Sequence, residues 1–418
     1  MRLLWFQNGP GIALGYLKGG KPARSWTSWL AGKFREENEL HIAFIYPKYH
    51  EPFDYEGIRF HPICEKHWKR AMLLGRLPGG GIPDRRIRER CLDLIGEVQP
   101  DLVHIHGTEN PYIALLGHTE VPVAVSIQGI VTVIRHKYLA GFGRSYLGAS
   151  NRSLLHPVSL LTEHSFRHGL RELGRMARRE EECLARCRFV IGRTVWDRRV
   201  ASILAPDATY FGHDDRILAA PYYEARWQMP QEGAPPVIHT TLTNSYYKGF
   251  ETLCRAMVLL RRAGTEVRAQ VAGLTTTDSV YRITRRMMGR EFPAGQLDML
   301  GSVAAEANIE HMRRAGIYVL SSHIDNNSNS LCEAMMLGMP CIASFVGGIG
   351  SVLHDGRDGL AVQDGDPWAL AGAVKELLAN PAEALRLADA ARETAVERHR
   401  PEAIIRNLTR IYRSIVHE

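Results

Sequence analysis

The sequence predicts an α/β protein of two doubly wound parallel sheets, and three observations predict it. Apolar runs of strand length alternate with amphipathic runs of helix length through both halves, the pattern of repeated βαβ units. The segment QMPQEGAPP at residues 228–236 interrupts that alternation, as a linker does. The 418 residues are enough for two hydrophobic cores. A first domain is therefore expected over residues 1–227, a second over 237–399, and a final helix over 400–418.

Charged residues make up 23% of the chain and the hydrophobic class 45%, the balance of a soluble globular enzyme. The net charge of +7 asks for an acidic partner. The basic residues are scattered along helices, with neither aromatic interleaving nor zinc-finger spacing, which argues against nucleic acid. Nucleotide sugars and anionic lipid headgroups satisfy the charge equally well. Seven cysteines (Cys64, Cys91, Cys183, Cys187, Cys254, Cys332, Cys341) contain no C-x-x-C pair and read as reduced structural thiols. The opening MRLLWFQNGPG has four consecutive apolar residues before Gln7, too few for a signal peptide, and no 18-residue apolar run follows. A cytoplasmic location is expected.

Residues 2–6 read as the first strand. The segment after it holds Gly9, Gly11, Gly15, Gly19 and Gly20 before a helix over residues 25–36, a turn whose backbone can approach a phosphate closely. Its spacing is not G-x-G-x-x-G. A second strand follows over 41–46. Residues 60–90 are rich in cations (Lys66, Lys69, Arg70, Arg76, Arg85, Arg86, Arg88, Arg90) interleaved with Trp68, Met72, Leu73 and Leu74. Such a stretch suits either an anionic membrane surface or a solvated helix face. A helix over 87–98 leads to strands over 101–106 and 123–127, which end at one sheet edge, so His106, Glu109 and Gln128 are expected to line one crevice. His104, on the same strand face as His106, reads as a core histidine. A helical pattern over 160–187 precedes a strand over 189–191 and then Arg193, a phosphate candidate by its strand-end position.

The second half repeats the alternation, with strands over 237–243, 268–272, 297–301, 317–320 and 341–344. Its last helix, over 401–417, carries Ile404, Ile405, Leu408, Ile411 and Ile415 on one face. The densest stretch is YVLSSHIDNNSNSLCEAMMLGMPCIASFVGGIG, residues 318–350. A strand runs into a polar loop, then into a helix with Ser330 and Glu333 at capping-box spacing, which Gly338 and Pro340 stop. A loop entering a helix N-terminus offers unpaired N–H groups to an anion. Asp325 and Glu333, with seven residues between them, are acceptors for hydroxyls. Together these suit a sugar joined to a nucleotide by a diphosphate, while the same two acids also fit a loop turn and a closed capping box.

With GGIGSVLHDGRDGLAVQDGDPWALAGAVKELLANP after it, this stretch resembles the donor-binding half of the retaining family 4 glycosyltransferases of GT-B fold, glycosyl transferases group 1. The shared pattern is an acid, seven residues, Glu, then Ala-Met, Gly-x-Pro, Gly-Gly, Asp-Gly and Asp-Pro. The resemblance is specific from Lys248 to Leu378 and weaker before it. It implies two Rossmann-like domains facing across a cleft. A nucleotide-diphosphate sugar would bind mostly to the second domain and a saccharide, lipid-linked or small-molecule acceptor mostly to the first. Transfer would retain the anomeric configuration, with no metal and no cofactor beyond the donor.

The resemblance also implies roles. Lys248 neutralises the leaving diphosphate, alone or with Arg193, because Leu242 stands where the family has an arginine. Asp325, where the family usually has Glu, touches the transferred sugar, and Glu333 binds the ribose hydroxyls. Gln128, where a His is common, hydrogen-bonds the sugar without titrating. Gly19 and Gly20 face the diphosphate, and Asn326, Asn329, Ser330 and Leu331 complete the donor set. Asp364-Gly365-Asp366 resembles a metal-binding acid pair but occupies the family's turn before Pro367. The C-terminal helix returns to the first domain. The function implied is sugar transfer in glycan or glycoconjugate biosynthesis, in the cytoplasm, with peripheral contact at the inner membrane face as a further expectation. The rivals are a nucleotide-sugar epimerase of the same fold and a non-catalytic two-domain sugar-binding protein.

Overall fold

The computed structural model of the chain describes residues 1–18, 26–46, 48–64, 84–142, 166–231 and 233–418. It divides into two compact units: Met1–Arg135, 166–217 and His399–Glu418 form the first, and 136–142 with Leu218–Arg398 form the second.

The first unit is built on strands β1 (Arg2–Phe6), β2 (Glu39–Ile45), β3 (Phe53–Tyr55), β4 (Ile58–Ile63), β5 (Leu102–His106), β6 (Val123–Ser126), β7 (Phe189–Gly192) and β8 (Thr209–Gly212). Their order is β3-β4-β2-β1-β5-β6-β7-β8, parallel throughout except for the β3–β4 hairpin. That hairpin turns on Glu56 and Gly57, both at positive φ, the two-residue turn whose twist matches the flanking strands. After Arg2, β1 is continuously apolar (Leu3, Leu4, Trp5, Phe6) because both sheet faces are covered. Leu4 and Phe6 join Ile87, Cys91 and Leu94 of the Asp84–Val98 helix, while Leu3 and Trp5 join Phe34 and the last helix, Pro401–Val416. Ile404, Leu408, Ile411 and Ile415 are buried in that last helix as their spacing predicts; Ile405 is half-buried, and Tyr412 is fully buried in the same core.

The second unit carries β9 (Val237–Thr241), β10 (Arg268–Ala272), β11 (Leu297–Gly301), β12 (Ile317–Leu320), β13 (Cys341–Ser344) and β14 (Leu360–Val362), all parallel, in the order β11-β10-β9-β12-β13-β14. Counted within the unit this is 3-2-1-4-5-6, the order of a dinucleotide-binding sheet. The short strands β3, β8 and β14 were not legible in the sequence, since three or four residues show no period. β4 contains Pro62, which obscures it.

The expected domain boundary is corrected. The units divide between Ile217 and Leu218, not at residue 227. Leu218, Tyr222 and Trp227 are buried in the core of the second unit, and Trp227 Nε1 donates to the Ala315 carbonyl at 2.6 Å. The proline- and glycine-rich segment at 228–236 lies inside the second unit. Residues 136–142 also join that unit, where the rings of Tyr138 and Phe142 meet Tyr246 at 5.5 and 5.4 Å. All seven cysteines are free thiols. Among the described residues no helix is long and apolar enough to cross a membrane.

Candidate active site

In an open parallel sheet a ligand crevice forms beyond the carboxyl ends of the strands, where the strand order reverses. In the second unit that point lies between β9 and β12. After β9 the chain makes a short turn at Tyr246–Lys248 and enters the Phe250–Arg262 helix through Gly249, at φ 71°. A Cβ at Gly249 would overlap the Ser321 carbonyl oxygen, so glycine is required both for the angle and for the close approach. Ser321 Oγ donates to the Gly249 carbonyl at 2.9 Å, and the His323 backbone N–H donates to the Tyr247 carbonyl at 2.7 Å. The two strand ends are thereby tied together.

This brings Lys248 Nζ to 2.7 Å from Asp325 Oδ2, which Ser322 Oγ also approaches at 3.3 Å. The pair is partly open, with 19% and 12% of the two side chains exposed. Burial works against the ammonium, but the charge of Asp325, with Tyr247 and the hydrogen bond, outweighs it and raises the lysine pKa. The Gly-Gly loop after β13 closes on the same residue: Gly348 N–H donates to the Asp325 carbonyl at 3.0 Å, and a Cβ on Gly347 would overlap that oxygen.

The neighbouring helix spans Asn329–Leu337, and here the capping-box expectation is corrected. Ser328 occupies the N-cap position and no side-chain oxygen caps it. Ser330 lies within the first turn, where its Oγ accepts from the Tyr318 hydroxyl at 2.6 Å, because the buried tyrosine beneath it needs a partner. The helix end therefore keeps its positive pole without a side-chain cap beside Asn326, Asn329 and Leu331. Glu333 is half-buried and accepts a hydrogen bond from the Tyr222 hydroxyl, to which Asn308 Nδ2 also donates at 3.2 Å. The contacts of Tyr222 with Glu333, Ser322 with Asp325 and Tyr318 with Ser330 escaped the sequence reading, since nothing in the spacing of these residues marks them as partners. Asp366 caps the Pro367–Ala379 helix by accepting from the N–H groups of Trp368 and Ala369.

In the first unit the order reverses between β1 and β5, and beyond their ends Asn8 is hydrogen-bonded to both Glu109 and Asn110. Burial raises the Glu109 pKa. Gln128 is half-buried, two residues past β6. His106 departs from expectation: it is fully buried, its ring 4.8 Å from Trp5 and 3.9 Å from His104. The reason is the two-residue period of β5, which puts it on the same core-facing side as His104. His104 is a satisfied core histidine, bonded to Tyr412 Oη at 2.5 Å and Ser126 Oγ at 2.7 Å.

Arg193 is corrected as well. It is buried, with Nε 2.8 Å and one terminal nitrogen 2.6 Å from Asp215 Oδ1, so its charge is taken up inside the unit rather than offered to a phosphate. His104, His106 and Asp215 bring possible ligand atoms within 4.8 Å of one another. With Arg193 on Asp215 and both His104 nitrogens bonded, that cluster reads as a polar core network. Gly19, Gly20 and most of the cation-rich stretch, residues 65–83, lie outside the described residues.

Two parallel α/β units, each with a switch point, define the GT-B class of fold. Sucrose-phosphate synthase from Thermosynechococcus elongatus superposes with a TM-score of 0.71 at 16% identity over 99% of both chains. Anabaena Alr3699/HepE, solved in complex with UDP-glucose, gives 0.63 at 14% over 99% of this chain and 100% of that one. Residues 224–394 match the family described as Glycosyl transferases group 1. Among curated relatives, glycogen synthase from Mycobacterium tuberculosis is 28% identical over 173 residues, 40% of this chain and 41% of that protein. D-inositol 3-phosphate glycosyltransferase from Streptomyces avermitilis is 26% identical over 180 residues, 40% and 37%. The chain thus spans about two-fifths of the length of these relatives.

Proposed function

We propose that the protein transfers a sugar from a nucleotide-diphosphate sugar to a hydroxyl acceptor, with retention at the anomeric carbon, in glycan or glycoconjugate synthesis. The observation that carries this reading is the Lys248–Asp325 pair at the β9/β12 switch point, inside the segment that matches glycosyl transferases group 1. Lys248 and the N-terminus of the Asn329–Leu337 helix, with Asn326, Asn329, Ser330 and Leu331, take the diphosphate. Asp325 faces the hydroxyls of the transferred sugar, and Glu333, held by Tyr222, accepts from the ribose. Gln128, Asn8 and Glu109 are the polar groups of the first unit suited to an acceptor hydroxyl.

The step needs no enzymic nucleophile. The bond from the anomeric carbon to the phosphate oxygen breaks, the bond to the acceptor oxygen forms on the same face, and the departing phosphate oxygen takes the acceptor's proton. Stabilising that phosphate is then the main catalytic term. The acid pair that resembles a metal site is otherwise engaged, Asp366 at a helix cap and Asp364 with His323 and Lys137. Their engagement supports a metal-independent reaction in which Lys248 carries the charge.

The test is thermal shift with UDP-, GDP-, ADP- and TDP-sugars without added metal, UDP-glucose first because a structural neighbour was solved with it. Glu333→Ala is expected to abolish the shift, and the product's anomeric configuration, read by NMR, should match the donor's. An inverted product would overturn retention. A changed sugar formed without an acceptor would point to the epimerase.

A further inference from the structure

His323 lies in the loop after β12, two residues before Asp325, and the chemistry above does not use it. Its side chain is 2% exposed. Nε2 lies 2.6 Å from Glu251 Oε1, in the first turn of the Phe250–Arg262 helix, and Nδ1 lies 2.6 Å from Asp364 Oδ1, in the turn after β14. Asp364 is paired in turn with Lys137 Nζ at 2.7 Å. An ionised carboxylate only accepts, and a neutral imidazole donates from one nitrogen. Both contacts are made at once by the imidazolium form. Burial disfavours that charge, but the hydrogen bonds and charges of Glu251 and Asp364 outweigh it and raise the pKa above its ordinary 6.5.

A second observation is independent of charge. A Cβ on Gly141 would overlap the Glu251 carboxylate and stand 2.8 Å from His323 Nε2, so the 136–142 segment lies directly over this pair and shields it from water. The charged groups around the ring are Glu251 and Asp364 in contact and Lys137 behind Asp364, two anions balanced by two cations once the ring is protonated. The same residue's backbone N–H holds the Tyr247 carbonyl, next to Lys248.

We propose that His323 is a positioning residue of this site: an imidazolium clamped between Glu251 and Asp364 that fixes the loop carrying Asp325 against the turn carrying Lys248. Its catalytic consequence rests on the transferase reading; the clamp itself exists in the ligand-free protein and is tested there.

The experiment uses the full chain with 15N-labelled histidine and a 13C-labelled Ile324 δ1 methyl, the methyl between His323 and Asp325. Both ring nitrogens of His323 should be protonated at pH 7, and the Ile324 methyl should change with the ring as pH rises. Asp364→Asn, at a partly exposed position, should lower the pH of both transitions by about one unit or more. Its alkaline loss of kcat should move by the same amount, with a transfer rate about tenfold lower above that pH. A neutral ring at pH 7, or an Ile324 methyl that ignores the ring, overturns the clamp. A coupled methyl with an unmoved kcat profile overturns the positioning role. If no sugar nucleotide is turned over, the transferase reading fails while the ring and methyl signals still decide the clamp.

Discussion

Lys248 and Asp325 are 77 residues apart in the chain and 2.7 Å apart in space, because β9 and β12 are neighbours at the point where the sheet reverses its order. The ammonium is thus stationed at the crevice with Asp325 as its resident counter-charge.

Replacing Lys248 by Ala should therefore cost turnover chiefly, about 2–4 kcal/mol, by analogy with loss of an oxyanion donor. Steady-state kinetics at saturating donor measures it, and Lys248→Arg should recover part of the loss. Unchanged kcat in the alanine variant would remove Lys248 from the mechanism.

Glu333 depends on a tyrosine outside its own helix. Tyr222→Phe removes one hydrogen bond from that carboxylate and should weaken donor binding by about 1 kcal/mol while leaving kcat near the parent value. Calorimetric titration with the nucleotide reads this, and a kcat defect without a binding defect would assign Tyr222 a different role.

Gly249 combines positive φ with contact against the Ser321 carbonyl. For Gly249→Ala the left-handed backbone alone costs about 1–3 kcal/mol, and overlap with Ser321 adds to it. The urea midpoint should fall accordingly; an unchanged midpoint would show that the β9 and β12 ends separate without cost.

Asp358 supplies the pH dependence of stability. Burial would raise its pKa, but hydrogen bonds from the His354 backbone, Arg357, the His354 ring and Thr394 outweigh this and hold it below the ordinary 3.8. A depressed carboxylate stabilises the fold above its unfolded pKa, and that contribution is lost as pH falls through the folded value. Asp358→Asn should lower stability at neutral pH and flatten its decline below pH 3.8. An acid limb identical to the parent's would show that other carboxylates govern it.

Much of the second unit was legible because its signals are local. The spacing of Asp325 and Glu333, the Gly338 stop, the Asp366-Pro367 helix start and five of the six strands are all written in runs of a few residues. The errors share a cause. Ser330 has capping-box spacing, yet it pairs with Tyr318 twelve residues away, because that buried hydroxyl needs a partner. Arg193 stands at a strand end like a phosphate ligand, yet Asp215, 22 residues on, takes its charge. The composition of residues 228–236 reads as a linker, yet the boundary falls earlier, because Leu218, Tyr222 and Trp227 are captured by a core formed later in the sequence.

The sequence by itself determined the alternation of strands and helices, the two sheets and the spacing of Asp325 and Glu333 on one loop and helix, since hydrophobic period and turn chemistry act over a few residues. Tertiary structure alone decided which strand ends meet, where Arg193 spends its charge and how His323 comes to lie between two carboxylates. These depend on the free energy of burying a charge with or without a partner, and the partner is chosen by the folded topology rather than by any spacing along the chain.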